Sequence, residues 1–262
     1  MGLTYQSTGK LTSRVTLHTK SATYDYVIAL AGNPNTGKST LFNALTGLRQ
    51  HTGNWPGKTV QRAEGTFQHN SRQYKIIDLP GTYSLLANSA DEEVARDFIC
   101  FARPDATIVV VDATCLERNL NLALQVMEIT SKVVVCVNLI DEARRKKIRI
   151  DINKLSNRMG VPVVATAARS GEGLPRLLEA IEDVAGGCIL PKPKLVRYGQ
   201  MVEEAVAWLE PRVRDAVGED INARWLALRL LDGDINLVKA MEKYLNDREA
   251  VTVIPVAREG WA

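Results

Sequence analysis

The residues most able to do chemistry are Gly32-Asn33-Pro34-Asn35-Thr36-Gly37-Lys38-Ser39, followed by Thr40, which match the pattern GxxxxGK(S/T). Glycines let the backbone curl so that successive N–H groups point inward at phosphate oxygens. A helix opening at Lys38 adds the partial positive charge of its N-terminus. In that arrangement Lys38 neutralises β- and γ-phosphate charge, and the Ser39 hydroxyl is a hard oxygen ligand for Mg²⁺. The stretch directly follows the apolar run Val27–Ala31 and precedes the amphipathic run Lys38–Thr46, the context that such a loop requires. It is read as a phosphate-binding loop of a nucleotide site.

A phosphate loop does not choose the base. Asn138-Leu139-Ile140-Asp141 follows a β-branched run and so falls at a strand's C-terminal edge, where ligands bind in α/β sheets. A carboxylate at Asp141 accepts from the N1–H and N2–H₂ donors of guanine, a pair that adenine lacks, so GTP is the expected nucleotide. Thr166-Ala167-Ala168 follows the next strand, and its backbone N–H groups are expected to meet the guanine O6. Asp78-Leu79-Pro80-Gly81 fits DxxG: Asp78 supports Mg²⁺ through water, and the Gly81 N–H senses the γ-phosphate. Between the two phosphate elements lies Gly53-Asn54-Trp55-Pro56-Gly57-Lys58-Thr59, rich in glycine and proline and read as a mobile loop. Thr59 is its candidate second Mg²⁺ hydroxyl. Trp55, flanked by Gly-Asn and Pro-Gly, is poorly placed for a core anchor. Such loops order around a γ-phosphate and relax after hydrolysis.

These residues need a scaffold, and the chain supplies one. Short apolar runs at Val27–Ala31, Tyr74–Ile77, Thr107–Val111, Val133–Val137 and Val161–Ala165 alternate with helical stretches. That pattern predicts an α/β fold, a mainly parallel sheet flanked by helices. Helices are expected over Lys38–Thr46 and Asn119–Thr130, from Asp151 to Met159, and along Leu174, Leu177, Leu178 and Ile181 up to Gly186-Gly187. Past Gly187 the composition shifts, and stripes at Val202–Leu209, Leu226–Leu231 and Leu237–Leu245 predict a small all-helical domain between Pro191 and Asp247. The expected division is a polar extension over 1–24, a nucleotide-binding domain over 25–187, and a helical domain with tail over 188–262. The extension lacks acids and is rich in hydroxyls, and it fits a partly ordered leader, a transit segment or an edge strand.

The 262 residues are 45% hydrophobic and 24% charged, which supports a packed core and excludes wholesale disorder. A net charge of +3 is too mild for a nucleic-acid binder. No apolar stretch approaches the ~18 residues that span a bilayer, so the expectation is a soluble chain. Cys100, Cys115, Cys136 and Cys188 lie far apart with no CxxC, which points to reduced thiols rather than disulfides or zinc. His18, His51 and His69 lack metal-ligand spacing, so no Fe²⁺ site is expected in these residues.

Taken together, GNPNTGKSTLFNALTG at 32–47, GNWPGKTVQRAEG at 53–65, DLPGTYSL at 78–85 and NLID at 138–141 resemble the ferrous iron transport protein B family. ARWLALRLLDGD at 223–234 is similar to that family's helical domain. The resemblance implies a GTPase head, coupled through a GDP-retaining helical domain to a membrane domain for Fe²⁺ uptake, at the cytoplasmic face of the inner membrane. It also implies K⁺ as an activator beside the phosphates, held by Asn35 and by backbone carbonyls at Gly53 and Trp55 once the switch closes. Lys38, Asn35, Thr59 and Gly81 then stabilise the transferring group, while Ser39, Thr59 and Asp78 serve Mg²⁺. GTP and GDP and the transporter's own membrane domain are the implied partners, nucleic acid is not, and homo-oligomerisation is left open.

Two positions depart from Ras-like GTPases. Thr82 stands where a water-orienting Gln often follows DxxG, which implies slow intrinsic hydrolysis. Leu139 replaces the Lys of NKxD, which implies weaker guanine affinity and faster exchange. Asp91, Glu92 and Glu93 read most simply as macrodipole partners at a helix start, and Arg144-Arg145-Lys146-Lys147 with Arg149 as a solvated face or a lipid-headgroup contact. Two rival readings stand beside the first: a free-standing GTPase of RNA modification or ribosome assembly, and a nucleotide-gated interaction module with negligible turnover.

Overall fold

The computed structural model describes residues 24–252 except 49, 56, 57, 87 and 88; all but the last residue of the expected 1–24 extension lies outside the described residues. The described residues divide after Leu195 into two compact units.

The first unit is built on a seven-stranded sheet of order β2-β3-β4-β1-β5-β6-β7, comprising β1 (Tyr26–Gly32), β2 (Gln50–Asn54), β3 (Gln61–His69), β4 (Arg72–Asp78), β5 (Ala106–Asp112), β6 (Val133–Asn138) and β7 (Val163–Ala165). Strands β4, β1, β5, β6 and β7 run parallel, while β2, β3 and β4 pair antiparallel. Helices cover the sheet: α1 (Lys38–Thr46), α2 (Ala90–Asp97) running into a π-helical turn at Phe98–Ala102, α3 (Leu116–Ile129), α4 (Ile140–Arg145), α5 (Ile152–Met159) and α6 (Leu174–Ala185). The expected parallel α/β sheet is therefore present, with an antiparallel edge added to it.

The parallel core follows from sterics and solvation. In β5 and β6 both faces are covered, so Ile108, Val109, Val110 and Val111, and likewise Val133, Val134, Val135, Cys136 and Val137, are wholly buried in succession rather than alternating with polar residues. The antiparallel pair β2–β3 lacks that signature. Gln50–Asn54 is polar throughout and β3 alternates only weakly, which is why no strand was expected there. An edge strand buries little, so its pairing leaves a faint trace in composition. Gly53 and Asn54, read from sequence as part of a mobile loop, are the last residues of β2 and pair with Arg62 and Gln61.

Helix ends carry their own signals. The α1 N-cap, Gly37, has φ 79° and its C-cap, Gly47, has φ 59°, left-handed conformations that glycine tolerates at no steric cost. Ser89 caps α2 by accepting from the Glu92 N–H at 3.2 Å, and Asp151 caps α5 by accepting from Lys154 at 2.9 Å. Asp91, Glu92 and Glu93 occupy the first turn of α2, the position where carboxylates complement the helix dipole.

The second unit is helical: α7 (Gln200–Val217), α8 (Ala223–Leu231) and α9 (Ile235–Thr252). Val206, Val213, Val217, Trp225, Leu226, Ala227 and Leu237 form its buried side. Asn222 caps α8 through the Trp225 N–H at 3.0 Å. Arg224 on α8 grips Glu203 on α7 with two bonds of 2.9 Å, and Glu203 also accepts from the Tyr198 N–H at 2.9 Å. These donors hold the Glu203 carboxyl down to about 2 from its usual 4.5. A depressed carboxylate stabilises the fold above its unfolded pKa and loses that contribution as pH falls through the folded one. Melting temperature should therefore fall between pH 4.5 and about 2 more steeply in the unaltered chain than in Glu203→Gln, as followed by circular dichroism. Parallel pH profiles would remove this contact from the account.

Candidate functional site

The chemistry-bearing residues gather at the C-terminal edge of the parallel strands. Strand β1 delivers the phosphate loop between β4 and β5, where Gly32 is required by space: a Cβ there would lie 2.8 Å from the Val110 carbonyl. Asn35 (φ 65°) and Gly37 (φ 79°) give the loop its two left-handed turns. Thr36 is buried, and its hydroxyl donates to the Asn33 carbonyl at 2.9 Å. Asn33 is only 1% exposed, yet neither atom of its amide has a hydrogen-bond partner.

Strand β4 delivers Asp78. The Lys38 ammonium pairs with the Asp78 carboxylate and donates to the Leu79 carbonyl at 2.7 Å. Burial pushes the Asp78 carboxyl above its usual range, and Lys38 acts against that shift. Backbone bonds lash DxxG to the phosphate strand: Leu79 N–H to Leu30 at 3.0 Å and Thr82 N–H to Gly32 at 3.3 Å. Ser39 and Thr40 are exposed in the first turn of α1, and Gly81 faces Pro34.

The base side is organised by Asn138, buried at the end of β6. Its Nδ2 donates to the Thr36 carbonyl at 3.0 Å, while its Oδ1 accepts from the Thr166 hydroxyl at 3.1 Å and the Ala168 N–H at 3.0 Å. Leu139 then turns left-handed (φ 61°), which starts α4 and places Asp141 in its first turn. The Asp141 carboxylate lies 3.6 Å from Arg145. Leu139 packs against the phosphate loop: a Cβ on Gly37 would meet its Cδ2 at 3.8 Å and the Asn138 Nδ2 at 2.4 Å.

The N–H groups of Thr166, Ala167 and Ala168, expected to meet the guanine O6, each have a partner within the chain: Val137 O at 2.8 Å, Glu172 O at 3.0 Å and Asn138 Oδ1 at 3.0 Å respectively. The residues serve as the wall that fixes Asn138. In this geometry they are not a row of open donors. Sequence spacing located the loop, but the bridge Ala167–Glu172 within it and the long-range bonds to Val137 and Asn138 emerge only in the folded chain.

The segment between phosphate loop and DxxG brings a correction. Trp55 is 7% exposed and stacks edge-on against Phe98 with ring centroids 5.4 Å apart, so its side chain is a core anchor after all. The Arg62 guanidinium lies over the same ring at 5.2 Å. Local Gly and Pro argued against burial; pairing of β2 with β3 and the apolar face of the π-helical turn override them. Lys58 reaches Glu93 at 2.6 Å, a second tie to α2. Gly53 lies in β2, the Trp55 carbonyl accepts from Lys58 N–H at 3.0 Å, and Thr59 is exposed. The structure thus unites Lys38, Ser39, Asp78, Gly81, Asn138 and Asp141 at one edge, while Gly53 and Trp55 are engaged in the hairpin.

Sequence reasoning missed two residues of the base wall, Arg144 and Glu172, whose side chains bond at 2.6 and 2.9 Å. The one local signal was Gly171-Glu172-Gly173, two left-handed glycines (φ 81° and 78°) around an acid. Among the described residues no three His, Cys, Asp or Glu side chains converge on a point, and no helix is long and apolar enough to cross a membrane.

Residues 26–181 match the family described as ferrous iron transport protein B, and residues 198–255 match the FeoB cytosolic helical domain. The Fe(2+) transporter FeoB of Escherichia coli (strain K12) is 42% identical over 213 residues, covering 79% of this chain and 27% of that protein. A Fe(2+) transport protein A/Fe(2+) transporter FeoB fusion protein of Porphyromonas gingivalis is 36% identical over 254 residues, 95% of this chain and 30% of that protein. The chain thus spans less than a third of the length of these relatives. The cytosolic domain of the T. maritima FeoB iron transporter superposes with a TM-score of 0.75 in both its GDP form I and its GMPPNP form, at 39% and 38% identity. Each comparison covers 85% of this chain, and 85% and 86% of the respective T. maritima chains.

Removing the Asn138 amide strands the Thr36 carbonyl and the Ala168 N–H, each at about 1–3 kcal/mol when buried. Asn138→Ala should lower unfolding free energy by about 2–4 kcal/mol in urea titration and abolish binding of labelled GDP. Wild-type stability together with retained binding would disprove the bridging role.

Proposed function

This chain belongs to the ferrous iron transport protein B family, and we propose that it is the GTP-binding and GTP-hydrolysing cytosolic part of a ferrous iron transporter. The observation that carries the reading is the Asn138 amide, which ties the phosphate loop at Thr36 to the base wall at Thr166 and Ala168. One rigid unit then presents phosphate donors and the guanine-reading Asp141 together. The GDP and GMPPNP forms of the T. maritima relative support the choice of nucleotide.

In this reading Asp141 accepts from N1–H and N2–H₂ of guanine, and the phosphate loop from Gly32 to Thr40 wraps the phosphates. Lys38 exchanges Asp78 and Leu79 for phosphate oxygens, and the freed Asp78 supports the cation. Hydroxyls of Ser39 and Thr59 would hold Mg²⁺, with the Asp78 carboxylate supporting it through water, a hard oxygen set that suits this ion and its neutralisation of phosphate charge. Thr59 is exposed and Trp55 is anchored on Phe98, so closing the switch requires the hairpin end to move. After that movement Asn35 and the Gly53 and Trp55 carbonyls would hold K⁺, which would supply the charge neutralisation that an arginine supplies elsewhere. Thr82 is buried and carries no carboxamide, which agrees with slow intrinsic turnover. The helical domain, read over 188–262 with its tail, passes the nucleotide state to a membrane portion that handles Fe²⁺.

Two measurements test this. GTP hydrolysis should be faster in KCl than in NaCl, with the difference lost in Asn35→Ala; equal rates in both salts would remove K⁺ from the mechanism. Asp141→Asn replaces an acceptor by an amide and should weaken GDP binding roughly 10- to 100-fold, the worth of a charge-assisted pair, while improving binding of xanthosine diphosphate. Unchanged base preference would sink the assignment of Asp141.

A further inference from the structure

The base pocket has two walls. One is Asn138-Leu139 running into α4, which carries Asp141; the other is the loop of residues 166–173 after β7. At their inner end the walls are stitched by buried bonds, through Asn138 and through the Ile140 N–H to the Thr166 carbonyl at 3.1 Å. At the outer end Arg144 on α4 meets Glu172 in a two-pronged contact, Nη1 to Oε2 at 2.9 Å and Nη2 to Oε1 at 2.6 Å.

We propose that the Arg144–Glu172 pair is a clasp across the base pocket that sets how fast a bound guanine nucleotide leaves. The inference rests on the guanine-nucleotide reading above. Both are positioning residues.

Several observations converge on it. Fork-to-fork geometry of guanidinium and carboxylate adds directional constraint beyond attraction. Arg144 follows Asp141 by three residues, so both lie on one helix face and a pull on Arg144 is felt at the base-reading carboxylate. Glu172 is held twice: its carboxylate by Arg144, and its backbone carbonyl by the Ala167 N–H at 3.0 Å. It also sits between Gly171 and Gly173, whose positive φ fixes the loop's bend; a Cβ on Gly173 would come 2.1 Å from the Ala165 carbonyl. Side-chain exposures of 61% and 43% leave the pair open to solvent, so it forms and breaks without unfolding the core. Arg144 also holds the Glu172 carboxyl below its usual range. The neighbouring Arg145 pairs instead with Glu142 and Asp141 on its own helix and does not reach the facing loop.

Release of methylanthraniloyl-labelled GDP from the whole chain, chased by excess GDP in stopped flow, provides the test. Arg144→Ala and Glu172→Ala should each speed release about two- to fivefold, the range of a well-formed exposed ion pair. The double alanine variant should be no faster than either single one, and the exchange Arg144→Glu with Glu172→Arg should restore slow release. Arg144→Lys, which keeps charge but loses the fork, should fall between. Raising ionic strength should speed release from the unaltered chain and have little effect on Arg144→Ala. Melting temperatures should match throughout, and Lys146→Ala, which removes a charge nearby, should release at the original rate. Unchanged or slower release in the single variants, additive effects in the double one, or equal acceleration by Lys146→Ala would overturn the clasp while leaving the nucleotide reading intact. Failure of the unaltered chain to bind labelled GDP at all would overturn both.

Discussion

Three hydrogen bonds to one buried amide hold the site together. Asn138 ends β6, and its register opposite Asp112 of β5 sets the depth at which the amide meets the phosphate loop. The loop must approach so closely that a Cβ on Gly37 would lie 2.4 Å from the Asn138 Nδ2. The wall after β7 must in turn offer a hydroxyl and an N–H to the same Oδ1. A side-chain amide has two donors and a carbonyl with two lone pairs; here three of those four positions are used inside the protein. Because a buried polar group without its partner is costly, each of these loops stabilises the conformation of the others. Left-handed Leu139 belongs to this constraint, since its turn converts the strand into α4 within one residue.

The phosphate side is governed by charge rather than by fixed bonds. Lys38 and Asp78 face one another at the ends of α1 and β4, and burial makes each strongly dependent on a partner. In the proposed mechanism a group arriving with negative charge and a cation offers both a new partner, so neither charge is left alone. The hairpin β2–β3 and its following loop are tied down separately, by Trp55 on Phe98 and Lys58 on Glu93. Both contacts end on α2 and its π-helical continuation, just beyond DxxG. The two segments that sense a γ-phosphate in the proposed mechanism are thereby joined to one helix.

Much of this was legible from the chain. The parallel strands declared themselves because burial on both faces demands uninterrupted apolar residues, as in Val133–Val137. The phosphate loop, DxxG and NLID declared themselves because phosphate and guanine recognition restrict residue types at fixed spacing. What stayed hidden depended on partners distant in sequence. β2 and β3 have polar residues whose pairing is backbone to backbone. Trp55 looked exposed among glycines and prolines, and only the apolar turn at Phe98 buries it. The N–H groups of Thr166–Ala168 looked available, but the Val137 carbonyl, the amide of Asn138 and a nearby bridge to Glu172 consume them. Arg144 looked like one of several solvated cations, since nothing local distinguishes it from Arg145.

The strongest and weakest contacts of the base pocket lie at opposite ends, and that ordering matters. Bonds to Asn138 are shielded from water, so in the proposed reading they keep the shape of the wall beside the guanine-reading Asp141. The Arg144–Glu172 contact is hydrated and screened, so it opens at modest cost and recloses without rebuilding the core. A pocket buried at both ends would hold its nucleotide rigidly but release it slowly; one exposed at both ends would lose its selectivity. Leu139 packs its apolar side chain near Gly37 of the phosphate loop without the ammonium that a lysine would bring, a difference that in the proposed reading favours exchange. In that reading selectivity and release draw on different residues of the same two walls.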